Sequence, residues 1–294
     1  MVRKKDIFKY KHLFFIGPHL VLFLVFLALP LVFGVFISFT NWDLTGSPNW
    51  VGLNNYGEIL FDINSTFHKQ FFNGMKNTLV FVLCSVPLFV VIPLTIALAL
   101  NTGVKGGGIF QSIFYIPCLF SISAVAIIWK LVFNLRLGLI NQIFSLDISW
   151  LTTQPYGWMS IVMVSIWWNI GGNMIIYRSA LGGIDINIYE AAAIDGANAW
   201  NLFLRITLPS IKFPLLYTTV ITTLNTFNIY GQPLLLTDGG PNESTKVIMM
   251  YIRELAFGSG KSISGMASAM AMLLGLVMVL ISIFQFRVMN KNNT

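Results

Sequence analysis

The side chains able to do chemistry are sparse in this sequence, and their placement narrows what that chemistry is. All eleven acids, from Asp6 to Glu254, fall in polar stretches or at their edges. The three histidines, His12, His19 and His68, lie far apart, and only His19 touches an apolar run. Cys84 and Cys118 sit inside apolar runs, so neither a disulfide framework nor a zinc site is readable. No catalytic constellation and no metal-ligand cluster emerges. What the apolar runs do contain is amides and hydroxyls. Thr218, Thr222, Asn225, Asn228 and Gln232 recur at spacings of three or four, with Thr219, Thr223 and Thr226 alongside, which reads as one helical stripe. Asn169 and Asn173 flank Gly171 and Gly172 in another run. Neutral donors and acceptors without fixed charge suit the path of a polar, uncharged solute, a sugar better than an ion. They serve equally as hydrogen-bond links between helices, each worth about 0.6 kcal/mol on average. Spacing alone leaves both readings open.

Such residues need apolar helices to hold them. The 294 residues are 56% hydrophobic and 10% charged, against about 25% charged in soluble domains. The mean hydropathy is +0.75. A bilayer core takes about 20 mainly apolar residues per helix. Stretches at about 13–39, 77–100, 109–133, 157–181, 214–232 and 265–286 qualify. The expectation is an all-α membrane protein of about six transmembrane helices, forming a single transmembrane domain over 1–294. Pro30, Pro87, Pro93 and Pro117 interrupt some runs, which membrane helices tolerate when neighbours re-satisfy the freed backbone groups. Small residues in the last run (Gly265, Ala267, Ala269, Ala271, Gly275) read as close helix packing.

Arg3, Lys4, Lys5, Lys9 and Lys11 precede the first run, which is too long for a signal-peptide core and lacks a small-residue cleavage site. With this cluster inside, eleven of the eighteen Lys and Arg fall on the inner side, so both termini are expected in the cytoplasm of a prokaryotic cell and the chain multi-pass in its plasma membrane. Trp42, Trp50, Tyr56, Trp150 and Tyr156 lie near run ends, as an interfacial aromatic belt or as contacts for an external partner. The lack of titratable groups mid-span argues against a proton relay, less so against a sodium site built from carbonyls and hydroxyls. No basic module interleaved with aromatics supports nucleic-acid binding. Gly258-Ser259-Gly260-Lys261-Ser262 ends like a phosphate-binding loop, but Leu255 occupies the position of its first glycine.

The stretch 182–213 is the most informative. An alanine-rich helix should run up to Asp195, Gly196 permits a sharp turn through positive φ, a second short amphipathic piece follows, and Pro209 is expected to stop it. A short helix with small residues and one acid, projecting from the membrane, suits docking into a partner's cleft or lying on the membrane surface.

Here the sequence resembles a known family. Glu190-Ala191-Ala192, Asp195-Gly196-Ala197, Phe203, Ile206-Thr207-Leu208-Pro209 and Pro214 look like the signature loop of permease subunits of binding-protein-dependent ABC importers, in the carbohydrate branch of the maltose and glycerol-phosphate type. Val51-Gly52-Leu53-Asn54-Asn55-Tyr56, Asn77-Thr78, Gly138-Leu139-Ile140-Asn141 and Thr237-Asp238-Gly239-Gly240-Pro241 extend the resemblance along nearly the whole chain. It implies a type I importer permease fold of the first-type half. Glu190, Ala191, Ala192, Asp195, Gly196 and Ala197 would then contact a separate ATPase through a coupling loop at 182–213. It also implies a second permease subunit, usually a different chain, two ATPase subunits that hold ATP and Mg, and an extracytoplasmic sugar-binding protein, all assembled in membrane lipid. This chain would itself be no enzyme. The rival reading is an ion-coupled secondary transporter of a small polar solute. On either reading Asn169, Asn173, Thr222, Asn225, Asn228 and Gln232 are the candidates for the solute path.

Overall fold

The computed structural model describes residues 11–258 and 263–290, with side chains from 15 to 258 and from 263 to 288. Most of the basic N-terminal cluster, Lys291 and most of the glycine-lysine stretch at 258–262 lie outside the described residues. The chain forms two compact units. Of the described residues, one holds those up to Phe71 together with those of Tyr251–Gly275, and the other holds Phe72–Met250 together with those from Leu276 onward.

The first unit opens on α1 (Lys11–Phe23), a π turn (Leu24–Ala28) and α2 (Leu29–Ser38). The π turn comes just before Pro30, whose missing N–H prevents a regular helical bond to Phe26. A short hairpin follows, β1 (Thr40–Asn41) against β2 (Asn49–Trp50), antiparallel with Thr40 opposite Trp50. Helix α3 (Asn54–Phe61) fastens it. Asn55 Nδ2 donates to the Ser38 and Thr40 carbonyls, both at 2.9 Å. A Cβ on Gly265 would lie 1.9 Å from the Thr40 carbonyl oxygen, so the packing reading of the last run holds there, whereas nothing approaches Gly275.

The second unit contains most of α4 (Thr66–Asn101), then α5 (Gly107–Tyr115), a 3-10 turn (Ile116–Leu119), α6 (Ile122–Val132), α7 (Leu139–Phe144) and α8 (Tyr156–Gly182). After these come α9 (Ile186–Ile194), α10 (Ala199–Leu202), a π turn (Phe203–Thr207), α11 (Leu208–Ser210), α12 (Lys212–Phe227) and α13 (Gly231–Thr237). Helices α14 (Ile248–Phe257) and α15 (Ser264–Asn290) complete the chain. Phe81, Phe133, Ile161, Val164 and Val247 are among the residues of one core cluster. Leu94, Ala97, Met174, Tyr177 and Ile211 belong to another.

The helical membrane architecture is as expected, and three of its details are not. Among the described residues, four helices, Phe15–Ser38, Thr66–Asn101, Tyr156–Gly182 and Ser264–Val288, are long and apolar enough to cross a membrane. The expected run 109–133 is instead two helices bent by 103°. Pro117 cannot donate to Ile113, the chain tightens into a 3-10 turn, and Ser121 restarts the helix by accepting the Ala124 N–H at 3.3 Å. The expected run 214–232 ends as a helix at Phe227, only 16 residues long, and restarts at Gly231. Pro233 explains the restart, because within a continuous helix it would clash with the Ile229 carbonyl, whereas in the first turn its missing N–H costs nothing.

Two local expectations also change. Pro209 does not stop the second inner piece, since the preceding π turn absorbs its missing N–H and the helix runs on through Ser210. Trp150 is no belt residue. It is buried, donates from Nε1 to Asn141 Oδ1 at 2.7 Å, and packs on Phe133 and Tyr156.

Candidate functional site

Side chains of α4, α6, α8, α12 and α13 line a cavity of about 430 Å³. All six candidate path residues reach it: Asn169 and Asn173 from α8, Thr222 and Asn225 from α12, Asn228 from the residue that ends α12, and Gln232 from α13. The stripe is therefore not a single helix face. The break at 228–230 turns its last member onto a second helix. Both broken helices meet at the cavity, where a Cβ on Gly231 would lie 2.4 Å from Ile122 Cδ1. Among the described residues, no Asp, Glu, Lys, Arg or His lines it.

The rest of the wall is largely aromatic and aliphatic, with Phe81, Phe89, Trp168, Tyr230, Ile122 and Ile229. Sequence reasoning missed these residues. A phenylalanine in a membrane run looks the same whether it faces lipid, core or cavity. Only the adjacency of Trp168 to Asn169, and the place of Tyr230 two residues after Asn228, offered a signal.

The hydrogen bonds sort the polar residues into two groups. Thr218 and Thr223 serve as links. Tyr177 and Thr218 hydroxyls are 2.6 Å apart, and Gln285 Nε2 donates to Thr223 Oγ1 at 2.8 Å. Asn173 is also a brace, because its Nδ2 donates to the Phe89 carbonyl at 2.9 Å and to Thr222 Oγ1 at 3.0 Å. Phe89 lies four residues before Pro93, so its carbonyl is the one that the proline leaves without a helical donor. Asn173 supplies that donor from the neighbouring helix and keeps only Oδ1 to offer the cavity. By contrast, Asn225 and Gln232 spend neither side-chain donor nor acceptor on protein groups among the described residues. Asn169 and Asn228 each spend one N–H on their own helix. Ser165 Oγ is buried in the wall with no partner among the described residues.

The brace carries a prediction. Asn173→Ala should lower the thermal midpoint of the purified protein by several degrees, since it removes roughly 1–2 kcal/mol of linkage. Pro93→Ala in the same chain should recover part of the loss, because residue 93 regains an N–H for the Phe89 carbonyl. Melting curves showing no recovery would mean that the carbonyl is not what Asn173 serves.

The second candidate site is the stretch 182–213. Asp185 caps α9 by accepting the Asn187 N–H at 3.0 Å, and Asn198 caps α10 by accepting the Asn201 N–H at 2.8 Å. Between them Gly196 takes φ +76°. Its N–H donates to the Ala193 carbonyl and the Ala197 N–H to the Ala192 carbonyl, which closes α9 in a Schellman turn. The hydroxyls of Tyr189 and Thr207, 2.9 Å apart, tie the two helical pieces together. The turn thus gathers Glu190, Ala191, Ala192, Asp195, Gly196 and Ala197 into one projecting corner. Glu190 is exposed, forms no bond among the described residues, and lies beyond the first turn of α9, so the helix dipole does not account for it. Ile194 and Trp200 are 87% and 66% exposed, too apolar for a corner meant to face only water.

Residues 64–291 match the family described as the binding-protein-dependent transport system inner membrane component. The chain belongs to this family. This inner membrane component is 31% identical to a probable ABC transporter permease protein, YesP, of Bacillus subtilis, over 97% of its own length and 91% of the relative's. It is also 31% identical to the multiple sugar-binding transport system permease protein MsmF of Streptococcus mutans, over 99% of each chain. Its fold matches a chain of a bacterial alginate ABC transporter, solved with a periplasmic protein bound to an alginate pentasaccharide. The TM-score is 0.81 and the identity 25%, over 97% of this chain and 96% of that one. The type I importer permease fold expected from the sequence is the fold of this inner membrane component.

Proposed function

We propose that the chain is the membrane-spanning subunit of an ATP-driven importer that carries a neutral sugar or related polyol across the cytoplasmic membrane by alternating access. The observation that carries this reading is the cavity. Amides, hydroxyls and aromatic rings share its wall, and no charged side chain among the described residues lines it. Sugar hydroxyls need such donors and acceptors, and the apolar faces of sugar rings need such aromatics. Relatives named for multiple sugars, lactose and trehalose or maltose support the same class.

In this reading both termini are cytoplasmic, and the corner at 190–197 seats in a groove of a separate ATPase. Two ATPase subunits bind ATP and Mg and supply the hydrolysis. A second permease chain completes the path, and an extracytoplasmic binding protein delivers the sugar. The exposed, unpaired Glu190 would meet a basic residue of the ATPase.

The test has two parts. Tagged protein drawn from native membranes in mild detergent should bring a second permease and an ATPase with it. The complex in liposomes, loaded with ATP and given the cell's extracytoplasmic binding protein, should take up one of radiolabelled maltose, trehalose, lactose or arabinose oligomers. Alanine at Asn225, Asn228 and Gln232 together should cut that uptake by more than about tenfold, since each lost bond is worth about 0.5–1.5 kcal/mol. Unchanged kinetics would return all three to a packing role. Ion-dependent uptake by the chain alone would favour a secondary transporter.

A further inference from the structure

The segment 238–246 is held in a conformation that its sequence disfavours. Asp238, Asn242 and Glu243 take φ of +50°, +49° and +56°. Aspartate and asparagine visit the left-handed region readily, but for Glu243 it costs roughly 1–2 kcal/mol, and such a residue persists only where surrounding bonds over-determine it.

Here the bonds come largely from α4. Asn77 Nδ2 donates to the Glu243 carbonyl at 2.8 Å and to the Lys246 carbonyl at 2.9 Å. Thr78 Oγ1 accepts the Ile248 N–H at 3.1 Å and donates to the Gly74 carbonyl at 2.8 Å. Asn77 is 5% exposed and Thr78 fully buried. From the other side, Trp158 Nε1 donates to the Ser244 carbonyl at 3.0 Å.

The same segment is locked to the end of α13. The buried Thr245 donates from Oγ1 to the Gly240 carbonyl at 2.8 Å, its N–H donates to the Gly239 carbonyl at 3.1 Å, and its hydroxyl lies 2.7 Å from that of Thr237. Thr237 is the last residue of α13, whose first residues, Gly231 and Gln232, wall the cavity. An unbroken series of bonds therefore runs from α4 through 243–248 and Thr245 to a helix of two turns that carries a cavity amide.

We propose that Asn77 and Thr78 are positioning residues that hold α13, and with it Gln232, against the cavity. The effect on transport rests on the sugar reading, whereas the effect on α13 does not. Hydrogen exchange of the detergent-purified complex, with no sugar present, tests the second. Asn77→Asp removes both donations in an isosteric side chain. Thr78→Val removes the hydroxyl and leaves the Ile248 N–H unpaired, and Thr78→Ser restores it. Asn77→Asp and Thr78→Val should speed exchange at least tenfold in 243–248 and also in α13, while α8 stays protected and Thr78→Ser behaves as the wild type. Leu94→Ala, a core truncation elsewhere in the same unit, should leave α13 protected.

Uptake of the sugar accepted by the wild type should then show a KM raised severalfold, with the maximal rate per folded complex little changed. If 243–248 loosens while α13 keeps its protection, or if Leu94→Ala loosens α13 equally, the positioning role is wrong. A variant too unstable to purify is replaced by Thr78→Ala, for which the same two outcomes decide. If the wild-type complex accepts none of the sugars, the sugar reading fails and the exchange result still decides the role of Asn77 and Thr78.

Discussion

Gly171→Ala is expected to cripple assembly, whereas Gly172→Ala, one residue along the same helix, should fold at least as well as the wild type. A Cβ on Gly171 would lie 2.6 Å from Tyr115 Cα and 2.8 Å from the Phe114 carbonyl oxygen. Both are backbone atoms, so no rotamer change relieves the contact. Helix α8 would have to move away from the end of α5, which loosens the core beside it. Overpacking of this kind costs about 1–3 kcal/mol or more, a large share of the stability of any domain. Gly172 has nothing within 4 Å of its would-be Cβ and lies on the cavity wall. Alanine there should gain about 0.5–1 kcal/mol of helix stability by restricting the unfolded chain. Yield and thermal midpoint in detergent separate the pair, and equal behaviour of the two alanines would mean that α8 does not approach α5 so closely. Gly172→Leu extends the test to transport. It should fold, project into the cavity, and reduce sugar uptake by more than about tenfold, since a leucine occupies volume that a bound ligand needs.

Gly196→Pro is expected to abolish ATP-driven uptake while the protein inserts and purifies normally. Proline fixes φ near −65° and has no N–H, so it can supply neither the +76° of the Schellman turn nor its bond to the Ala193 carbonyl. The corner then loses the angle between α9 and α10, and on the proposed importer reading a rigid partner groove would no longer fit it. Gly196→Asn should keep most activity, because asparagine tolerates the left-handed region. Glu190→Lys should act like the proline by reversing a charge. As an exposed, unpaired side chain it should shift stability by less than about 0.5 kcal/mol. Uptake per folded complex and ATPase activity of the purified assembly are the readouts. Wild-type uptake in Gly196→Pro would show that the corner does not transmit the stroke.

Much of this was legible before the fold was in view. Long apolar runs announce membrane helices because the bilayer leaves few alternatives. Asn169, Asn173, Asn225 and Gln232 stood out because an amide in an apolar run is rare, and Gly196 because a lone glycine after an alanine helix invites a turn. Other features were hidden by ambiguity. Pro117 and Pro233 break their helices while Pro87 and Pro93 do not, and at Pro93 the help comes from a distant residue, Asn173, which donates to the Phe89 carbonyl. Gly171 and Gly172 are identical as letters. Asn77 and Thr78 looked like the start of a span, since nothing local says that they reach residues some 170 positions away.

The absence of acids and bases from the cavity wall has an electrical consequence. A charge crossing the bilayer gains or loses about 2.3 kcal/mol for every 100 mV of membrane potential. A neutral cargo moving past neutral amides and aromatic rings couples to none of it. The cell's standing voltage can neither drive such a passage inward nor drain a pool already accumulated. On the proposed ATP-driven reading, the work of concentration would fall wholly on the mechanical cycle, and starvation for phosphate-bond energy, rather than collapse of the voltage, would silence it.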